Sequence, residues 1–178
     1  VNTYAINNQS NPDVATLANG DFVVSWISNN AGLGGWSIMV QRFTADGVKV
    51  GGEVLVSDGN SAPNGDTYTQ IAALESGGYV VNWSAYPSAN SSHDVYAQQF
   101  DATDNKVDAP LRLNNYTDST QYRPDIAALT GDRFVAAWQS YGQDGDQYGI
   151  YQGLFGPAGS LTRSAAPAIS DLAPSVTI

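Results

Sequence analysis

The chain has 178 residues, with 17 acidic side chains against 7 basic ones, a formal charge of −10, no cysteine and a single histidine. The negative charge would be repelled by a phosphate backbone or an anionic bilayer, so no nucleic-acid partner is expected, and no apolar run is long enough for membrane insertion. Without cysteine there are no disulfides, thiolate nucleophiles or Cys-ligated zinc, and His93 alone cannot build a site that needs two imidazoles.

Fifteen of the 17 acids are Asp, a residue of turns and hard-cation sites rather than of strands. The runs between those turns are β-rich and none has a helical period. The first run, Val14–Leu17, is followed by Asn19-Gly20, a dipeptide that supplies positive φ for a two-residue hairpin. Phe22, Val24 and Trp26 then alternate on one face of a second run. The third run is "SIMVQRF", and after a turn at Asp46-Gly47 comes a fourth, "GEVLVS".

The same order returns twice. Ile71–Leu74, then Tyr79, Val81 and Trp83, then "DVYAQQF", a turn at Asp104-Asn105 and "APLRLN" form the second copy. Ile126–Leu129, then Phe134, Ala136 and Trp138, then "GIYQGLF" and a turn at Ala158-Gly159 form the third. Trp26, Trp83 and Trp138 are spaced by 57 and 55 residues, and Phe43, Phe100 and Phe155 fall at the same two spacings. This is the mark of a repeat architecture. Apolar residues on both faces of the second and third runs require sheets covered on both sides.

The fold expected is all-β, with three tandem four-stranded repeats resembling β-propeller blades; a β-trefoil or β-prism is the alternative. The repeats are placed at about residues 1–53, 54–110 and 111–163, with residues 164–178, "SAAPAISDLAPSVTI", as a linker or the start of a following module. The third copy lacks a fourth run. Because "VNTYAINNQSNPDVATL" matches "LNNYTDSTQYRPDIAAL" at an offset of 112, Val1–Tyr4 is expected to be a fourth strand in a permuted frame. Three blades do not close a ring. Either a homo-dimer completes it or neighbouring modules of a longer chain do.

"PDVATL" and "PDIAAL", "GDRFVAAW" and "QRFTADGVKVGGE" together resemble repeats of large secreted bacterial proteins of the RTX and adhesin type, over residues 1 to about 163. The resemblance implies a calcium-rich extracellular setting, secreted or at the bacterial cell surface, and a role in adhesion or display. The calcium-binding nonapeptide of RTX β-rolls, G-G-x-G-x-D, is absent, so calcium cannot be carried over from it.

Binding on a repeated scaffold is expected in the variable loops between second and third runs. Asp144 and Asp146, separated by one glycine, have a spacing that could turn two carboxylates toward one calcium ion; an acidic turn bonding its own amides is the plainer reading. Trp36, Tyr86, Tyr141 and Tyr148 lie in or beside these loops and could stack on sugar rings, or else cap the sheet ends. His93 stands between serines and Asp94, but no strand-to-helix nucleophile elbow accompanies it, so no hydrolytic triad is read there. The function expected is therefore a non-catalytic extracellular module, not an enzyme, that displays loops to a glycan or cell-surface ligand. A carbohydrate-binding lectin is the alternative.

Overall fold

A computed structural model describes residues 1–30, 35–57, 67–86, 92–156 and 163–164. The strands are β1 (Gln9–Thr16), β2 (Phe22–Asn30), β3 (Gly35–Phe43), β4 (Lys49–Ser57), β5 (Thr67–Ala73), β6 (Tyr79–Ala85), β7 (Asp94–Phe100), β8 (Lys106–Arg112), β9 (Gln121–Leu129), β10 (Arg133–Tyr141), β11 (Tyr148–Phe155) and β12 (Arg163–Ser164). They form three antiparallel four-stranded sheets, each from one repeat and each in sequence order. Among the described residues no helix is long and apolar enough to cross a membrane.

The repeat spacing has a direct structural cause. Phe22 and Phe43, Tyr79 and Phe100, and Phe134 and Phe155 are cross-strand partners between the second and third strands of their sheets. Each pair stacks, with ring centroids 5.1, 4.8 and 5.0 Å apart. Such pairs fix register, because a one-residue slip would carry both rings to the opposite face.

Two apolar seams hold the sheets together. Val23, Ile27, Ile38 and Val40 of the first sheet meet Ile71, Tyr79, Val81, Trp83 and Phe100 of the second. Val80, Val95 and Ala97 on the second sheet's other face meet Phe134, Ala136, Trp138 and Phe155 of the third. Each of the larger side chains contributes about 1.5–3 kcal/mol when fully buried, and the alanines less. The aromatic face of every sheet thus turns toward the preceding repeat, and the smaller aliphatic face toward the next. Arg42 of β3 also reaches across the first seam to Asp104 in the β7–β8 turn, with Nη2 to Oδ1 at 2.9 Å.

The first strands are neighbours: β1 packs beside β5, and β5 beside β9. Sheets that stack face to face while their first strands converge are propeller blades. A trefoil would pair strands between repeats, and a prism would leave the middle sheet covered on one face only; neither fits this arrangement.

Two local expectations are corrected. Val1–Tyr4 is not a strand, and the third sheet takes its fourth strand from β12, whose Arg163 and Ser164 pair with Phe155 and Leu154. The β1–β2 connection is not a two-residue hairpin either. Gly20 N donates to Leu17 O at 3.0 Å and Leu17 N to Asp21 O at 2.7 Å, which encloses three residues with Gly20 alone left-handed, at φ 89°. The Ala158-Gly159 turn and residues 165–178 lie outside the described residues.

Candidate functional site

In a four-stranded antiparallel sheet the start of the first strand, the loop between the second and third, and the end of the fourth all lie at one end. At that end every inner strand breaks register. The slips fall between Ser10 and Asp13 in β1, between Thr67 and Thr69 in β5, and opposite Ala137 and Gln139 in β9. The residues within them, Asn11, Tyr68 and Arg123, occupy equivalent repeat positions and are all left-handed, at φ 49°, 51° and 51°. Asn tolerates that conformation, whereas Tyr and Arg are held in it at a cost of about 1–2 kcal/mol. A bulge re-aims the side chain it carries.

On the two inner strands flanking the second seam, the re-aimed side chains meet. The Tyr68 and Tyr122 rings pack edge to face with centroids 4.8 Å apart, and the Arg123 guanidinium lies 5.5 Å from the Tyr68 ring and 5.9 Å from the Tyr122 ring. His93 continues the cluster, 4.9 Å from Tyr122 and 3.7 Å from Tyr86 between ring centroids. Its carbonyl accepts the Gln121 amide at 2.8 Å, tying the start of β7 to the start of β9.

Electrostatics tune two members of this cluster. Hydrogen bonds from Arg123, and next from Tyr122, hold the Tyr68 phenol below its ordinary pKa. Burial pushes the His93 imidazole below its usual value, so the ring is neutral at physiological pH. His93 Nε2 is buried with no hydrogen-bond partner among the described residues. Ring faces interleaved with hydroxyl, imidazole and guanidinium groups make a surface suited to a polyhydroxylated ring.

Carboxylates stand beside the bulges. Asp13 on β1 and Asp125 on β9 occupy the same repeat position, two residues beyond Asn11 and Arg123. Asp13 Oδ2 accepts from Ile71 N of β5 at 2.9 Å, which fixes its direction across the inner strands. Asp125 is exposed and accepts its neighbour's amide, Ile126 N, at 2.8 Å. Asp94, by contrast, is buried and bound by Asn114 Nδ2 at 2.6 Å and Arg112 Nη1 at 3.5 Å, which is a structural role.

The residues expected from the sequence divide. Tyr86 joins the cluster. Trp36 is half-buried and packs on the first seam. Tyr141 and Tyr148 pair across β10 and β11 with ring centroids 5.1 Å apart, on the far face of the third sheet. Asp144 Oδ1 accepts from Asp146 N at 3.3 Å around a left-handed Gly145, so the loop is an acidic turn closing on its own backbone. Burial raises the Tyr151 phenol, and the Asp144 carboxylate, which leans over Gly149, adds to the shift. Among the described residues no three His, Asp or Glu side chains converge as a metal site would require. Tyr68, Tyr122 and Arg123 were not expected, because they sit on strands rather than in the variable loops.

No family model and no curated protein sequence matches the chain. In fold it is similar to the α-L-arabinofuranosidase from Lactobacillus brevis, with a TM-score of 0.52 and 11% identity over 86% of this chain and 51% of that one. The endo-arabinase from Bacteroides thetaiotaomicron VPI-5482 gives 0.51 and 14% over 87% and 61%, and a Hadza microbial sialidase gives 0.56 and 12% over 82% and 35%. The chain therefore spans less than two thirds of the length of each. These neighbours correct the expectation of a non-catalytic adhesion or display module that is not an enzyme, since the arabinofuranosidase, the endo-arabinase and the sialidase are all glycoside hydrolases. At these identities the likeness establishes the architecture: three successive blades of a β-propeller.

Proposed function

We propose that the chain contributes the blades and part of the active site of a carbohydrate-active enzyme that cleaves glycosidic bonds at the bulged end of its inner strands. One observation carries this reading. Three successive inner strands break register at the same repeat position, and the two flanking the second seam bring Tyr68, Tyr86, His93, Tyr122 and Arg123 into one cluster. Asp13 and Asp125 lie on the inner strands on either side of β5.

Glycoside hydrolysis needs two carboxyl groups, one to protonate the leaving oxygen and one to act as nucleophile or to activate water. Asp13 and Asp125 are the pair assigned to these roles. Asp13 is oriented by the Ile71 amide, while Asp125 is exposed. The aromatic rings would stack on the sugar and Arg123 would bond its oxygens. A polymeric substrate places the reaction outside the cell, in a secreted or surface protein.

The test is sugar release from arabinan, other plant polysaccharides and sialylated glycoprotein. Asp13→Asn and Asp125→Asn should each lower release by about 100-fold or more while circular dichroism stays unchanged, as loss of a general acid or base does. No release from any of these by the folded protein, or full activity in both variants, would overturn the assignment.

A further inference from the structure

The face of the second sheet that turns toward the third carries a row of polar side chains, one on each successive rung. From the inside outward, Gln99 stands opposite Val80, Asn82 opposite Ala97, and Ser84 opposite Val95. His93 follows one rung further, at the bulged end, with its ring 3.7 Å from that of Tyr86. Val80, Ala97 and Val95 pack on Phe134, Ala136, Trp138 and Phe155, so the row lies inside the second seam. Gln99, Asn82 and Ser84 are completely buried and His93 is 9% exposed. Both amide atoms of Gln99, both of Asn82, Ser84 Oγ and His93 Nε2 are nevertheless without a hydrogen-bond partner among the described residues. Trp138 Nε1 and Gln121 Oε1 add two more such atoms from the third sheet. The row is particular to this seam. At the same repeat positions the first sheet has Arg42, Ser25, Ile27 and Trp36, of which Arg42 is paired with Asp104 and Ile27 and Trp36 join the apolar cluster.

A carboxamide unbonded at both ends is not a matter of orientation, because exchanging its nitrogen and oxygen leaves both unmet. Gln98, on the opposite face of β7, shows a bonded one: its Nε2 donates to Gln99 O at 2.9 Å and to Val107 O at 3.1 Å. Buried polar groups are costly without a partner, so a seam that keeps two whole carboxamides supplies one. The row mixes donors with acceptors and holds no charged side chain, which suits neither an anion nor a metal ion. Its occupant must donate and accept, carry no charge and fit between two packed sheets. We infer that the second seam binds a file of buried water molecules, running from His93 at the candidate site past Ser84 and Asn82 to Gln99. Successive rungs on one face are about 7 Å apart and two hydrogen bonds through one water span about 5.5 Å, so a single molecule bridges neighbouring side chains. At about three bonds for each buried water, about two or three molecules satisfy the row. The inference does not depend on the catalytic assignment, since neither Asp13 nor Asp125 enters it.

The test is water contact in the 178-residue chain by ¹⁵N-edited NOE and ROE spectroscopy, with the number of long-lived waters counted by ¹⁷O relaxation dispersion. Water cross-peaks to the side-chain amides of Asn82 and Gln99 and to the Trp138 indole are expected, with the sign that marks long residence. Asn82→Leu and Gln99→Met keep the side-chain volume and remove the amide. Each should lower the dispersion by about one molecule while the circular dichroism spectrum stays unchanged. The wild-type spectra decide the matter even where a variant does not fold: absence of water contact at the two amides would overturn the inference. So would a dispersion that stays the same in both folded variants.

Discussion

Ile38 and Ile150 offer a controlled comparison, because the same residue stands at the same repeat position in two different surroundings. Ile38 is buried completely in the seam between the first two sheets, and Ile150 is 74% exposed on the far face of the third. Truncation to alanine removes the same atoms and alters strand propensity to a similar extent at both places, up to about 1 kcal/mol. Ile38→Ala adds to this the lost transfer energy and the cavity left between two sheets, for a total of about 3–4 kcal/mol. Ile150→Ala opens no cavity. It should cost about 1 kcal/mol or less. For a chain of this size, about 2–4 °C of Tm accompany each kcal/mol. The first variant should therefore melt on the order of 10 °C lower, and the second within about 4 °C of the parent. Differential scanning calorimetry with urea titration measures both. Equal shifts, or a larger one for Ile150→Ala, would refute the stacking of three blades in this order.

Three further outcomes follow from single features. Burial holds the pKa of His93 below that of the unfolded chain, which binds its proton near about pH 6.5; stability should therefore fall as pH drops through that value from about 7 toward 5.5. With one histidine in the chain, His93→Gln should flatten that slope in urea titrations, and a slope that survives would place its origin elsewhere. Asp104→Asn keeps a residue that tolerates φ 65° but leaves the buried Arg42 guanidinium without its counter-charge, so a loss of about 2–3 kcal/mol is expected by urea unfolding, against none if the pair is idle. The Asp146 amide donates to Asp144 Oδ1, so the expectation of calcium at Asp144 and Asp146 is checked by titration: a rise in Tm of several degrees at millimolar calcium would make both carboxylates ligands, and an unchanged Tm would leave them as a turn.

The blades were legible because the repeat is written in the residues that make the seams. The 57- and 55-residue spacings of Trp26, Trp83 and Trp138 mark buried positions, and the same spacings of Phe43, Phe100 and Phe155 mark one half of each stacked pair. The last strand was hidden. Among the described residues β12 pairs through Arg163 and Ser164 at the edge of its sheet, where backbone bonding makes little demand on composition, so a Pro/Ala/Ser-rich tail concealed it. The reading of Val1–Tyr4 as a strand failed for a traceable reason: its counterpart, Leu113–Tyr116, lies beyond the end of β8, in the crossing to the next blade. There Leu113 is buried in the seam and Asn114 bonds Asp94.

The site was less legible than the fold. Attention to variable loops found Tyr86 but missed Tyr68, Tyr122 and Arg123, which belong to the inner strands. A signal was present in Pro12 and Pro124, since proline within a strand marks a bulge or an edge. The residues just before them, Asn11 and Arg123, and Tyr68 at the matching position, are the ones the bulges turn over. What no alignment of the copies could supply is that rings from β5, β9 and the start of β7 meet at one point, because that depends on how steeply the blades converge.

The central claim, that the bulged end of the inner strands is where a sugar binds and is cut, is tested most directly through the single histidine. Its ring signals in a ¹H–¹⁵N spectrum report on the cluster of Tyr68, Tyr86 and Tyr122 alone. Titration with an oligosaccharide that the protein cleaves should shift those signals saturably, and Tyr68→Ala should weaken the response. Signals that stay in place at saccharide concentrations that saturate cleavage would put the reaction elsewhere on the molecule.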